Sequence, residues 1–312
     1  MVDIVSKGPS KGRGAISNIS GRYERCATSP VDDGWQPDAN LGPAPFPTTV
    51  TEETPKTVIT YNQSPDIPFN RSLNAYRGCE HGCIYCFARP THAYQGMSPG
   101  LDFESKLFAK PDAPAVLEKE LRKPGYLPET IAIGTNTDPY QPVESNRHIT
   151  REVLEVLSKF NHPTAIVTKS HLILRDLDIL ASMAERGLLS VGVSVTTLER
   201  HLSRIMEPRA PTPQRRLETV RKLAKARVPV TVMLAPIIPA INDHEIETVI
   251  AAAAEAGACA ADYILLRLPR EVKKLFHEWL IAHYPDRAKK VLSLTADCRK
   301  GNLYTSDWFK RL

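Results

Sequence analysis

The stretch Tyr76-Arg77-Gly78-Cys79-Glu80-His81-Gly82-Cys83-Ile84-Tyr85-Cys86-Phe87-Ala88-Arg89 places three cysteines at the spacing C-x3-C-x2-C. Three thiolates converging from one short loop suit three irons of a 4Fe–4S cube. The fourth iron then has no protein ligand and is open to a small-molecule chelator. Gly78 and Gly82 admit the backbone torsions a tight loop needs, and Arg77, His81 and Arg89 supply positive charge beside an anionic cluster. The competing reading is a structural zinc site completed by His81 or His92. Structural zinc favours paired knuckles that close a tetrahedron. The other cysteines, Cys26, Cys259 and Cys298, are scattered singly through the chain, so iron–sulfur is the favoured reading.

Outward from this loop, short β-branched runs alternate with helical patterns. The strand candidates are 73–77, 130–134, 164–168, 190–195, 230–234 and 263–268. Ile149, Val153, Val156, Leu157 and Phe160 form one helical stripe; Ile246, Val249, Ile250 and Ala253 form another. Gly187 and Gly257 stand where helix C-terminal caps are wanted. A further helix from Glu271 to about His283 gathers Val272, Leu275, Phe276, Trp279 and Leu280 on one side. Six strands interleaved with helices predict a parallel sheet with right-handed crossovers. Either a doubly wound sheet or a partial barrel satisfies the pattern, and both bind ligands at the carboxyl ends of the strands.

The rest of the composition sets bounds. The 312 residues, 42% hydrophobic and 24% charged, suit a soluble globular chain with an ample core. Apolar runs fall short of a membrane span, and no secretory signal opens the chain, so a cytoplasmic location with no membrane partner is expected. A disulfide framework is not expected there. A net charge of +5 admits a nucleic-acid partner without demanding one. Residues 1–60 are rich in Gly, Pro, Ser and Thr and read as a flexible, basic N-terminal extension, with Lys7, Lys11, Arg13, Arg22 and Arg25 near its start. Residues 61–312 read as the core domain.

The cysteine loop, with the aromatic Tyr85 before Cys86, resembles the signature of the radical S-adenosylmethionine superfamily. Its context narrows the likeness. Ser64-Pro65-Asp66, the run Asn74 to Pro90, and Thr137-Asp138-Pro139-Tyr140-Gln141-Pro142-Val143-Glu144 are similar to the spore photoproduct lyase-like, or "DNA repair photolyase", branch. The resemblance spans roughly residues 60 to 300. It implies an α/β fold, a partial (β/α)6 TIM-like barrel behind a largely irregular N-terminal extension. It also implies a 4Fe–4S cluster on Cys79, Cys83 and Cys86, S-adenosylmethionine as second cofactor, and a reductant of the flavodoxin or ferredoxin type. The expected reaction is reductive cleavage to a 5′-deoxyadenosyl radical, which abstracts hydrogen from substrate.

The resemblance also nominates cosubstrate contacts. The end of the second strand, Thr135, Asn136, Thr137 and Asp138, corresponds to the stretch that receives the methionine amino group, Asp138 being the foremost candidate. Ser194 and Thr196 are placed for the ribose. Arg209, in Glu207-Pro208-Arg209, suits a forked pairing with the methionine carboxylate; Arg215 and Arg216 are alternatives expected to face solvent. Ile237 and Asn242 correspond to an adenine-binding element, and Tyr85, before Cys86, is a further expected S-adenosylmethionine contact. Arg267 interrupts an apolar run and is expected in the barrel mouth or in an ion pair.

The substrate divides the expectations. Spore photoproduct lyases return a hydrogen atom from a cysteine near the second strand's end, where this chain has Thr135 or its neighbour and no cysteine nearby in sequence. Cys298, Tyr94 and Tyr140 are other side chains able to relay hydrogen. A DNA or nucleotide lesion is therefore one expected substrate. Radical modification of tRNA, a peptide or a metabolite is a second, and a non-enzymatic metal-binding module is a third reading. Relatives in this branch continue past Trp308 with another basic segment, so a C-terminal truncation is also expected.

Overall fold

A computed structural model describes residues 12–24, 47–63 and 69–295. Cys26, Cys298, Ser64 to Asp66 and the stretch after Thr295 lie outside the described residues, as do Lys7, Lys11 and Arg25.

Among the described residues, ten strands form two sheets: β1 (Thr49–Glu52), β2 (Ile59–Tyr61), β3 (Arg71–Leu73), β4 (Tyr76–Arg77), β5 (Lys106–Ala109), β6 (Ile131–Ile133), β7 (Thr164–Thr168), β8 (Leu189–Ser194), β9 (Val230–Ile237) and β10 (Ala260–Leu265). The larger sheet runs β10-β9-β8-β7-β6-β3-β2. Its six strands from β3 to β10 are all parallel, and β2 adds antiparallel at one edge. The sheet therefore stays open between β2 and β10, and the architecture is a partial (β/α)6 barrel of the TIM type. Parallel strands are buried on both faces. Ile131, Ile133, Ile166, Val191, Val193, Val230 and Val232 accordingly have almost no exposure.

The helices close this core along the predicted stripes, except that Ile250, expected on the buried face, is exposed. Helix Ile149–Lys159 buries Ile149, Val153, Leu154 and Leu157, and Ile246–Glu255 buries Val249 and Ala253. Fully burying such side chains stabilises by about 1.5–3 kcal/mol each. A second cluster packs under the cysteine loop. There Val272–His283 contributes Leu275, Phe276, Trp279 and Leu280 against Ile84, Tyr85, Leu202 and Met206. Trp279 stacks on Phe276 with centroids 5.3 Å apart and donates its indole N–H to the Ile205 carbonyl at 3.0 Å.

Three expectations need revision. The first strand, expected to be continuous over 73–77, is divided. β3 ends at Leu73, and β4 joins the small sheet β1-β5-β4. Asn74 makes the break: its side chain accepts from the amide of Asn136 at 3.0 Å and donates to Thr135 Oγ1 at 3.1 Å. The last strand, expected over 263–268, begins earlier at Ala260, leaving Arg267 exposed beyond its end. Within residues 1–60, expected to be irregular and flexible, 12–24 packs on the cysteine loop and 49–52 pairs with β5.

Candidate active site at the cysteine loop

β4 delivers the chain into the cysteine loop, and backbone bonds hold it there. The Cys79 amide donates to the Phe103 carbonyl at 3.0 Å, and the Ile84 amide to that of Met206 at 3.0 Å. Gln141 clamps the turn from outside, accepting from the Glu80 amide at 2.9 Å and donating to the Gly78 carbonyl at 3.2 Å. Gly78 has φ of +73°, and a Cβ there would lie 2.8 Å from Leu107 Cδ2 and 2.9 Å from the Phe103 carbonyl oxygen. Glycine is required on both counts.

Cys79 and Cys83 are buried and Cys86 is partly so. Burial pushes the Cys83 thiol up to about 12, with the Glu207 charge adding to the effect. Burial likewise raises Cys79, helped by Asp138, and raises Cys86 against the pull of Arg89. Three desolvated thiols side by side become thiolates only when cations compensate them, and metal coordination does so outright. The donor set suits an iron–sulfur cube.

Of the two histidines that would complete a zinc site, His92 is committed elsewhere. His92 Nε2 is hydrogen-bonded to the Lys106 carbonyl at 2.8 Å, with its ring edge-on to Phe103. His81 Nδ1 lies 3.3 Å from Asp138 Oδ2. Among the described residues, no three His, Cys, Asp or Glu side chains converge as ligands of a single metal ion. Cys259 is exposed and donates to the Val230 carbonyl.

The nominated strand-end residues fall into two networks. Asp138 is the hub of the first. Its carboxylate accepts from Thr168 Oγ1 at 2.6 Å, the Lys169 amide at 2.8 Å and the Tyr140 amide at 2.9 Å, beside His81. Burial alone would raise this carboxyl, but His81 and these donors overcome it and bring it down to about 2. The Asp138 oxygens are thus engaged within the protein, tying the end of β7 to the loop after β6. Thr137 is buried and donates to the Tyr76 carbonyl. Thr135 is half-buried and Asn136 exposed at the same strand end.

Glu207 is the hub of the second network and was not among the nominated residues. It is fully buried, accepts from Tyr85 OH and from Thr196 Oγ1 at 2.8 Å, and pairs with Arg216. Burial would raise its carboxyl; Arg216 and Lys169 together hold it down to about 2. Arg216, expected to face solvent, is instead buried, and it also donates to the Ser194 carbonyl at 3.2 Å. Arg215 is exposed as expected. Lys169 Nζ sits 5.9 Å from the Tyr85 ring and 3.9 Å from Glu207. The network brings Tyr85, Ser194 and Thr196 together beside Cys83.

Asn242 joins the same region through the end of β9. It donates to the Thr196 carbonyl at 2.7 Å and the Pro236 carbonyl at 3.0 Å, and accepts from the Ile238 amide at 2.6 Å. Ile237 is buried next to it. Arg209 lies at the rim, pairing with Glu80 at 3.0 Å and donating its own amide to the His81 carbonyl at 3.3 Å. Two of the hydrogen-relay candidates lie among the described residues. Tyr94 is exposed against Tyr23 and Arg22, and Tyr140 is buried under Arg175.

Lys169 and Glu207 carried a faint signal in the sequence. Lys169 immediately follows an apolar strand, and Glu207 is an acidic residue between Met206 and Pro208. Neither belongs to a spacing that single-sequence reading ranks.

Comparison with known proteins agrees with this geometry. A family model described as the radical SAM superfamily matches residues 73–253. An uncharacterized protein of Mycobacterium tuberculosis strain H37Rv is 36% identical over 230 residues, covering 73% of this chain and 68% of its own. An uncharacterized protein of Methanocaldococcus jannaschii is 25% identical over 224 residues, covering 72% of this chain and 80% of its own. Among solved structures, a double mutant of spore photoproduct lyase with bound AdoMet and dinucleoside spore photoproduct superposes with a TM-score of 0.57 at 16% identity. That match covers 76% of this chain but 66% of the lyase, and it is a likeness of fold.

Proposed function

The chain belongs to the radical S-adenosylmethionine superfamily, and from that premise we propose that Cys79, Cys83 and Cys86 bind three irons of its 4Fe–4S cluster. Radical SAM enzymes use such a cluster with S-adenosylmethionine, so the protein is an enzyme and not a passive metal module. When bound, the pair supplies a 5′-deoxyadenosyl radical that abstracts hydrogen from substrate. The observation that carries the assignment is three cysteines on one clamped loop, two buried and one partly so, with His92 committed to the Lys106 carbonyl.

The remaining residues take roles suited to their surroundings. Thr135 and Asn136, at the mouth of β6, are the proposed polar contacts for the methionine amino group. Asp138 is saturated by its own donors, so its proposed role is to hold Thr168, Lys169 and His81 in place. Lys169 and Arg209 offer positive charge to the methionine carboxylate. Tyr85 and Thr196, oriented by Glu207, and Ser194 line the ribose side. Ile237 supplies an apolar platform for adenine, while Asn242 fixes the bend that presents it. Burying the reacting region under Tyr85 and the strand ends limits water and competing hydrogen donors.

Two observations bear on the substrate. The fold likeness to spore photoproduct lyase and the +5 charge support a nucleic-acid or nucleotide lesion as the hydrogen donor. Thr135, where that lyase chemistry has a cysteine, favours a different target such as tRNA, a peptide or a metabolite. A reductant is required in either case, and a flavodoxin- or ferredoxin-type protein is proposed. Among the described residues, no helix is long and apolar enough to cross a membrane.

Anaerobic reconstitution followed by dithionite and S-adenosylmethionine tests the assignment. The wild-type chain should release 5′-deoxyadenosine, and Cys83→Ala should not. Equal yields from both would overturn the ligand set.

A further inference from the structure

We propose that residues 12–24 form a strap that belongs to the cluster-holding element, with Glu104 as the positioning residue that fastens the strap to the cysteine loop. This rests on the reading that the three cysteines hold a cluster. The strap lies outside the part of the chain that the family model matches, which begins at residue 73.

Glu104 sits in the short helix Leu101–Ser105 and is fully buried. One carboxylate oxygen accepts from the Ala15 amide at 2.9 Å and from the Arg89 guanidinium; the other accepts from the Gly14 amide at 2.9 Å. Arg89, also fully buried, spends its other donors on the cysteine loop and its flank. It donates to the Cys83 carbonyl at 2.9 Å, Gly82 at 3.1 Å, Pro99 at 3.1 Å and Gly100 at 3.0 Å. Arg13 completes the ring by donating to the carbonyl of Glu104 itself. A buried charge pair is stable only with its remaining donors and acceptors satisfied. Here the strap's two amides do that for Glu104.

The strap also touches the loop directly. A Cβ on Gly14 would stand 1.9 Å from the Gly82 carbonyl oxygen, so only glycine lets the two backbones meet. Ala15 is buried in the cluster of side chains that includes Cys83, Ile84, Tyr85 and Leu101. Further along, Asn18 and Asp102 exchange two hydrogen bonds at 3.0 Å each, and Arg22 pairs with Glu271 at 3.2 Å. The loop between Cys79 and Cys86 is thereby held from outside by a segment far earlier in the chain. A loop gripped on two sides opens less often, and opening is what exposes iron to exchange or oxidation.

The test uses the full chain, reconstituted without oxygen, in wild-type, Gly14→Val and Glu104→Gln forms. Iron loss to an excess chelator is followed by cluster absorbance, together with the EPR spectrum of the reduced cluster. Both variants should lose iron about 10- to 100-fold faster than wild type, as losses of outer-shell partners do, with shifted EPR g-values. Amide exchange in the wild type guards against a variant that fails to fold. Residues 12–24 should exchange more slowly in the cluster-loaded protein than in the cluster-free one. Wild-type release rates in both variants, or equal exchange of 12–24 in both wild-type states, would overturn the strap while leaving the ligand assignment intact. A wild-type chain that takes up no cluster overturns the assignment and the strap with it.

Discussion

Glu207 shows how single residues carry this site. It is a buried carboxylate whose hydroxyl partners, Tyr85 and Thr196, face the region where S-adenosylmethionine is proposed to bind, and whose charge is met by Arg216. Glu207→Gln leaves Arg216 as an unmatched buried charge, so folding stability should fall by about 3–5 kcal/mol. Chemical denaturation of the cluster-free protein measures this. The pH dependence has a defined sign. The carboxyls of Glu207 and Asp138 are held near 2, below ordinary values of 4.5 and 3.8. Their contribution is present above those ordinary values and lost as pH falls through the window toward 2. Acid unfolding of wild type should therefore steepen between about pH 4.5 and 2, and Glu207→Gln should flatten that slope. An unchanged slope would mean that Glu207 is not charged in the folded protein. The cysteine triplet was legible because its spacing is a pattern within one short loop. Glu207 and Arg216 were not, since their pairing depends on how a turn of chain after a helix doubles back into the barrel.

At the scale of elements, the parallel strands β3 and β6 to β9 and the helices at 149–159 and 272–283 follow from apolar periodicity, because each buries one apolar face, whereas the edge strand β10 is exposed along 260–264. The departures arise where a polar side chain overrules the period. Asn74 binds the Thr135–Asn136 turn and divides the first strand in two, which sends Tyr76 and Arg77 into the small sheet and aims the cysteine loop. The strap escaped the sequence reading because Gly12 to Glu24 forms no regular period; its order comes from Glu104, Asp102 and Glu271. Asn242 tests the same logic at the end of β9. Asn242→Ala strands the Thr196 and Pro236 carbonyls and the Ile238 amide, and should lower stability by about 1–3 kcal/mol. It should also weaken S-adenosylmethionine binding while leaving iron content at the wild-type level. Equilibrium binding on the reconstituted protein reads the second effect; loss of iron with retained binding would contradict the role given to this bend.

For the whole molecule, an open sheet with β2 and β10 at its edges has the cysteine loop near the ends of β6 to β9, with the strap packed on that loop from outside. A basic chain with this arrangement is proposed to meet a polyanionic substrate, and mobility-shift titrations with DNA and RNA then have a definite form. Affinity should fall steeply between low and physiological salt if phosphate contacts dominate, while flat or absent binding would favour the peptide or metabolite reading. Deuterium transfer from a labelled candidate substrate into 5′-deoxyadenosine would identify the hydrogen donor. The claim on which the rest depends is that the three-cysteine cluster has one iron open to S-adenosylmethionine. Electron–nuclear double resonance on the reduced protein, with S-adenosylmethionine labelled at its amino nitrogen and carboxylate oxygen, addresses it directly. The account predicts hyperfine couplings from both labels in the wild type and none in Cys83→Ala; a cluster-bearing wild type with neither coupling would contradict it.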